Sequence, residues 1–173
     1  MTREVAKRLI ALALLTIVDF CDAGVVLAQA QKPNYLWEGW HKVPDPSHIQ
    51  YKVSHDKVVA LSNLSKGCDP PQGKSFSLAG KIAKVNFDNQ GLIVQNFVLE
   101  EDNGERSLIN VDPISIDDPG MNMVSLGWIV QGLQTLLRPN LYIQGSAFAC
   151  GAAGRVLLLD AIQSVSSTKP MNN

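Results

Sequence analysis

The chain has 173 residues, with 15 Lys+Arg against 16 Asp+Glu and a net charge of −1. That length holds one domain with room for an appendage. The near-neutral balance lacks the electrostatic footprint of a general nucleic-acid binder.

The first thirty residues read as an export signal. Arg3, Lys7 and Arg8 precede the apolar stretch Leu9 to Val18, and a small-residue exit follows at Ala28-Gln29-Ala30. This is the n-region, h-region and A-x-A order of a secretory signal, with cleavage predicted after Ala30. Two alternatives are an uncleaved anchor over residues 9–30 and a buried core helix. Asp19 and Asp22 argue against a span, since each costs roughly 2.5–3.5 kcal/mol at a helix centre. The apolar run is also only about ten residues, against the ~20 a spanning helix needs. Loss of residues 1–30 removes three basic and three acidic residues and leaves 12 against 13. The expected location is the periplasm or the outside of the cell, with no membrane span after cleavage.

Residues 31–74 read as a Pro- and aromatic-containing extension. Pro33, Pro44, Pro46, Pro70 and Pro71 interrupt regular structure, and Tyr35, Trp37 and Trp40 cluster between them. Val58, Val59, Leu61 and Leu64 suggest one short helix over Ser54–Leu64, with Ser54 as its N-cap. Apart from that, the extension is expected to be irregular. Trp37 and Trp40 are candidates for a docking strip, because aromatics dominate binding hot spots. The alternative is that they staple the extension to the main domain.

Residues 75–166 carry a regular pattern. Phe76–Phe87 reads as a long strand, with Gly80 at a point of bulging or coiling. Asp88-Asn89-Gln90-Gly91 is turn chemistry. Leu92–Glu100 is a second strand, and Asp102-Asn103-Gly104 predicts a type I′ hairpin into a third over Arg106–Val111. Met123–Leu137 has helical period with Asn122 as N-cap. Leu141–Cys150 and Arg155–Val165 are the last strands, joined through Gly151-Ala152-Ala153-Gly154, and residues 167–173 form a polar tail. The expected class is mainly β. The order β-β-β-α-β-β is the connectivity of a five-stranded OB-like Greek-key barrel, with the helix plugging one end. A split α+β sheet is the competitor.

Two local stretches add a resemblance. Arg106-Ser107-Leu108-Ile109-Asn110-Val111-Asp112-Pro113 and Gly154-Arg155-Val156-Leu157 resemble pieces of the nuclease-like OB family of staphylococcal nuclease type. The resemblance implies Arg106 and Arg155 as phosphate contacts and Asp112 as a Ca²⁺ ligand. The chain departs from that pattern at the catalytic half. No glutamate follows Asp112-Pro113, and the Asp88–Gly91 turn has one carboxylate fewer. Phosphodiester cleavage needs both a metal and a positioned base.

The remaining motifs are weighed by spacing. His41, His48 and His55 are seven apart, which on a helix is roughly 10 Å, too far to share one ion. Asp112, Asp117 and Asp118 could hold Ca²⁺ with backbone oxygens, or cap turns. No other cofactor is called for. Cys68 and Cys150 survive cleavage of the signal. In an oxidising compartment they are expected to form a disulfide, worth roughly 4–5 kcal/mol in the loop-entropy model.

Together these point to an exported protein that binds rather than catalyses. Its expected ligand surface is the second and third strands, flanked by the loops at Asp88–Gly91 and Gly151–Gly154. Asn96, Arg106 and Arg155 are the candidate contacts, and the partner is an envelope protein or an anionic small molecule or saccharide. The alternatives are a diverged nuclease-like hydrolase and a structural subunit of an envelope assembly.

Overall fold

The computed structural model describes residues 37–66, 74–151, 154 and 156–170. The export segment, Cys68 and Arg155 lie outside the described residues. Among the described residues the protein is mainly β, with eight strands and one α-helix. The strands are β1 (Gly39–Lys42), β2 (Gln50–Ser54), β3 (Lys57–Ser62), β4 (Lys74–Phe87), β5 (Val94–Glu100), β6 (Arg106–Asn110), β7 (Tyr142–Cys150) and β8 (Val156–Ser166). The helix α1 spans Met123–Leu136 and lies between β6 and β7.

The strands form one mixed sheet in the order β1-β2-β3-β8-β6-β5-β4-β7, with β7 also paired to β8. The pairings therefore run β4–β5–β6–β8–β7 and return to β4. All are antiparallel except β6–β8, where Ile109 aligns with Leu157 and Asn110 with Leu158. Strand β4 is long enough to serve two partners. Its first half pairs with β7, from Lys74↔Ala149 to Lys81↔Tyr142, and its second half pairs with β5, from Lys81↔Glu100 to Phe87↔Val94.

Alternation along these strands fills the interior. Ile82, Phe97, Leu99, Ile109, Ile143, Leu159 and Ile162 are essentially inaccessible to solvent and form one cluster with Leu61, Leu64, Ile129 and Leu137. Burying each such side chain contributes about 1.5–3 kcal/mol.

The region before β4 departs from expectation. The helix expected over Ser54–Leu64 is absent. That stretch is the turn and second strand of a β-hairpin, and the expected irregular segment supplies three antiparallel strands. The turn residues His55 and Asp56 have φ of 52° and 56°, the left-handed pair that a two-residue hairpin of type I′ requires. Glu38 Oε1 holds the turn by accepting the His55 N–H at 2.6 Å. Val58 and Ala60 then alternate inward against β2, and the β-branched pair Val58-Val59 favours the strand. Strand β3 joins the rest through Leu61↔Ile162 and through Leu64 N–H donating to the Asp160 carbonyl at 2.9 Å.

Helix α1 begins as the sequence indicates, with Asn122 Oδ1 accepting the Ser125 N–H at 2.9 Å. Its buried residues Ser125, Ile129, Gly132, Leu133 and Leu136 form one stripe. Gly132 lets the helix approach β3 closely: a Cβ there would come within 2.7 Å of Val58 Cγ1. The β5–β6 turn differs in type from expectation. Of Asp102-Asn103-Gly104 only Gly104 has positive φ, 83°. Glu101 N–H donates to the Glu105 carbonyl and Gly104 N–H to that of Glu101, each at 2.9 Å. This is a three-residue loop with its left-handed glycine last, not type I′. Asn103 Oδ1, by accepting the Glu105 N–H at 2.8 Å, stabilises this longer form.

Candidate functional site

Residues paired across neighbouring strands share a face, and residues two apart on one strand share it too. The outward face of β4, β5 and β6 therefore carries three rows. Lys81, Glu100 and Arg106 form the first, Lys84, Val98 and Leu108 the second, and Asn86, Asn96 and Asn110 the third. The irregularity between Ile82 and Lys84 keeps both lysines on this face although they are three residues apart. Neighbouring positions in a row stand about 4.8 Å apart.

The asparagine row is wired in part. Asn86 Nδ2 donates to Asn96 Oδ1 at 2.6 Å, and Asn110 Nδ2 donates to the Leu157 carbonyl at 3.2 Å. All three side chains are half-buried. With those bonds made, Asn96 presents its NH₂ while Asn86 and Asn110 present carbonyl oxygens. The row thus offers acceptor, donor and acceptor in sequence across three strands. Leu108, half exposed, and Val98 give an apolar middle.

Charge gathers at the other end. Arg106 Nε and Nη2 both reach Glu100 Oε2, at 2.8 and 2.7 Å. The guanidinium is two-thirds exposed and has N–H groups to spare. Lys81 and Lys84 are exposed and make no ion pair among the described residues. The face holds three cations against one carboxylate, a net attraction for anions inside a chain of net charge −1.

The loop beside this face is built around Asp88. Its Oδ1 accepts the Leu92 and Ile93 N–H groups at 2.8 and 3.1 Å. The Ile93 and Leu92 bonds hold the carboxyl below the usual carboxylate range. The carboxylate shapes the turn.

The other expected site residues fall elsewhere. Asp112 follows β6, and its Oδ2 accepts the Lys66 N–H at 2.8 Å and the Ser65 hydroxyl at 3.4 Å. Lys66 Nζ in turn donates to the Pro113 carbonyl at 3.0 Å and pairs with Asp118 at 2.9 Å. Asp118 Oδ2 accepts the Ser115 N–H at 2.9 Å. Burial raises the Asp118 pKa, but the Ser115 bond and the Lys66 ammonium outweigh it, and the carboxyl sits below the ordinary value. These contacts fasten the exit of β3 to the loop after β6. No group of three or more His, Cys, Asp and Glu side chains suited to a metal occurs among the described residues. His41, His48 and His55 are not brought together into one either.

Trp37 and Trp40 are 46 % and 53 % exposed. The Trp37 ring lies 5.4 Å from His41, which stacks on Tyr51 at 5.3 Å, and Tyr51 stacks on Trp128 at 6.5 Å. Trp40 alternates with His41 along β1 and pairs with the exposed Lys52 on the opposite face. Cys150 is buried at the end of β7. No helix among the described residues is long and apolar enough to cross a membrane.

Sequence reasoning found Asn96 and Arg106 but not Lys81, Lys84, Asn86 and Asn110. Only the cross-strand register puts these six on one face, and the irregularity at residues 82–84 that sets it has no sequence mark. Comparison with known proteins gives no matching family model, no matching curated protein and no matching solved structure.

Proposed function

We propose that the protein is an exported, non-catalytic binding protein whose scaffold is an OB-like five-stranded barrel, and that the outward face of β4–β6 takes an anionic saccharide. The return of the pairings to β4 and the parallel β6–β8 contact support the barrel reading, since that circuit is the one the β-β-β-α-β-β order leads one to expect. The observation that carries the function is the three-row face. Its amides offer alternating acceptors and donors for hydroxyl groups, and Lys81, Lys84 and Arg106 sit two rows or fewer away for an acidic group. The engagement of Asp112 with Lys66 and Ser65 favours binding over hydrolysis. That carboxylate holds the chain where a nuclease-like site would hold its metal.

The test is calorimetric titration of the mature protein with uronic-acid oligomers, with neutral glucan oligomers of equal length as the comparison. Binding of the acidic oligomers is expected to weaken steeply with salt and to fall at least tenfold in Arg106→Gln and in Asn96→Ala. Glu100→Gln, which releases the guanidinium, should tighten it. Equal affinity for both oligomers, or indifference to all three substitutions, would overturn the reading.

A further inference from the structure

A hollow of about 780 Å³ opens away from the β4–β6 face. The loop between β1 and β2, the exit of β3 and the loop before α1 form its sides, and Phe148 of β7 and Asp160 of β8 reach it from the sheet. Its volume falls within the roughly 300–1,000 Å³ of small-molecule sites. Ile49, Leu64 and Phe148 contribute apolar lining. Such sites combine an apolar wall with a few placed polar groups.

The polar group that stands out is Asp160. Ser146 pairs with Ala161, and the next residue, Ala147, pairs with Leu159, so Asp160 is the extra residue of a β-bulge on β8. Bulges re-aim a side chain and are over-represented beside functional sites. Freed from the β7 ladder, the Asp160 carbonyl accepts the Leu64 N–H at 2.9 Å. Its Oδ2 accepts the Ser146 hydroxyl at 3.1 Å. Its Oδ1 has no hydrogen-bond partner, and the half-buried carboxylate has no ion pair, among the described residues. The two lysines that line the hollow are already matched. Lys42 pairs with Asp45 at 2.7 Å and Lys66 with Asp118 at 2.9 Å. His48 lines it too, and its carbonyl accepts Asn63 Nδ2 at 3.0 Å.

We propose that this hollow binds a small organic ammonium ion with an apolar body, an alkyl or arylalkyl primary amine. The ammonium donates to Asp160, and the body lies against Phe148, Ile49 and Leu64. Charge selects this class. With each lysine matched by a carboxylate of its own, Asp160 leaves the hollow one negative charge in excess, and an anionic ligand would meet it. A charge-assisted bond from an ammonium to a carboxylate is among the stronger hydrogen bonds, and the free Oδ1 has the capacity to accept it. An aromatic ring in the lining adds attraction for a cation. The site is separate from the β4–β6 face and takes the opposite charge, so the inference does not depend on that reading.

NMR titration of the mature protein with phenethylamine tests it, with phenethyl alcohol and hydrocinnamate as uncharged and anionic probes of similar size. Working at about pH 8 keeps an ordinary imidazole uncharged and the amine protonated. The amine should bind saturably and move the amide signals of Leu64, Phe148 and Asp160. The alcohol should bind about tenfold more weakly. Asp160→Asn keeps an acceptor for the Ser146 hydroxyl and removes the charge. It should weaken the amine about tenfold and leave the alcohol unchanged, with circular dichroism showing the fold intact. Phe148→Leu should weaken the amine several-fold. Absence of saturable amine binding, equal affinity for amine and alcohol, or tighter binding of hydrocinnamate would each overturn the proposal. So would an amine affinity indifferent to either substitution.

Discussion

Asp112 accepts the backbone N–H of Lys66 at 2.8 Å, across 46 residues of sequence. One carboxylate therefore ties the chain leaving β3 to the chain leaving β6. Removing it leaves the Lys66 amide without that partner. Asp112→Ala should lower stability by about 1–2 kcal/mol in denaturant titration. Added Ca²⁺ should not shift the melting temperature of the wild type. A Ca²⁺-dependent rise that disappears in Asp112→Asn would make this residue a metal ligand after all.

A second expectation concerns the contact between helix and hairpin. Gly132→Ala places a methyl 2.7 Å from Val58 Cγ1, and overpacking of this kind costs about 1–3 kcal/mol. Val58→Ala alone should also destabilise, by leaving a cavity. The two together should cost less than their sum. A double-mutant cycle with no coupling would show that the helix does not rest on β3 at this point.

Acid should loosen the Lys66–Asp118 junction. The Asp118 pKa is depressed in the folded state, so its contribution is present above the ordinary carboxylate range and disappears as pH falls through the folded value. In Asp118→Asn the acid limb of the stability curve should be shallower, while stability at neutral pH drops by only about 1 kcal/mol, as the partly exposed ion pair allows. An unchanged acid limb would remove Asp118 from the account.

The expected Cys68–Cys150 disulfide involves one residue outside the described region. Lys74, six positions after Cys68 in sequence, opens β4 directly opposite Ala149, next to Cys150 at the end of β7. Thiol labelling of the denatured, unreduced mature protein should find no free cysteine, and Cys68→Ser should lower the melting temperature. Intact mass of the exported protein should correspond to residues 31–173. Two labelled thiols, or a mass that includes Met1–Ala30, would each refute the matching claim.

The residues from β4 to β8 were legible because their signals are local and agree with one another. Inward alternation on β5 and Asn122 before α1 each describe a single element. The hairpin of β2 and β3 was not legible. His55-Asp56 is not a usual left-handed pair, and the spacing of Val58, Leu61 and Leu64 imitates a helix. The turn forms because β2 pairs with β3 and Glu38 reaches the His55 amide from 17 residues away, which no window of sequence contains. The same holds for the candidate face. Asn96 and Arg106 stood out by position within a familiar order of strands, whereas Lys84 joins them only through a break in register.

The ring of pairings has a consequence for solubility. Seven of the eight described strands have at least two partner strands, so they offer little template for an incoming chain. The order of strands terminates at β1, only four residues long, beginning with Gly39 at φ 103° and ending with the charged Lys42. A short edge with a charge at its end is a poor seed for strand-to-strand growth. Any ordered aggregation should therefore begin only after β1–β3 have peeled from β8, where the pair Leu61↔Ile162 and the Leu64 N–H bond to the Asp160 carbonyl hold them.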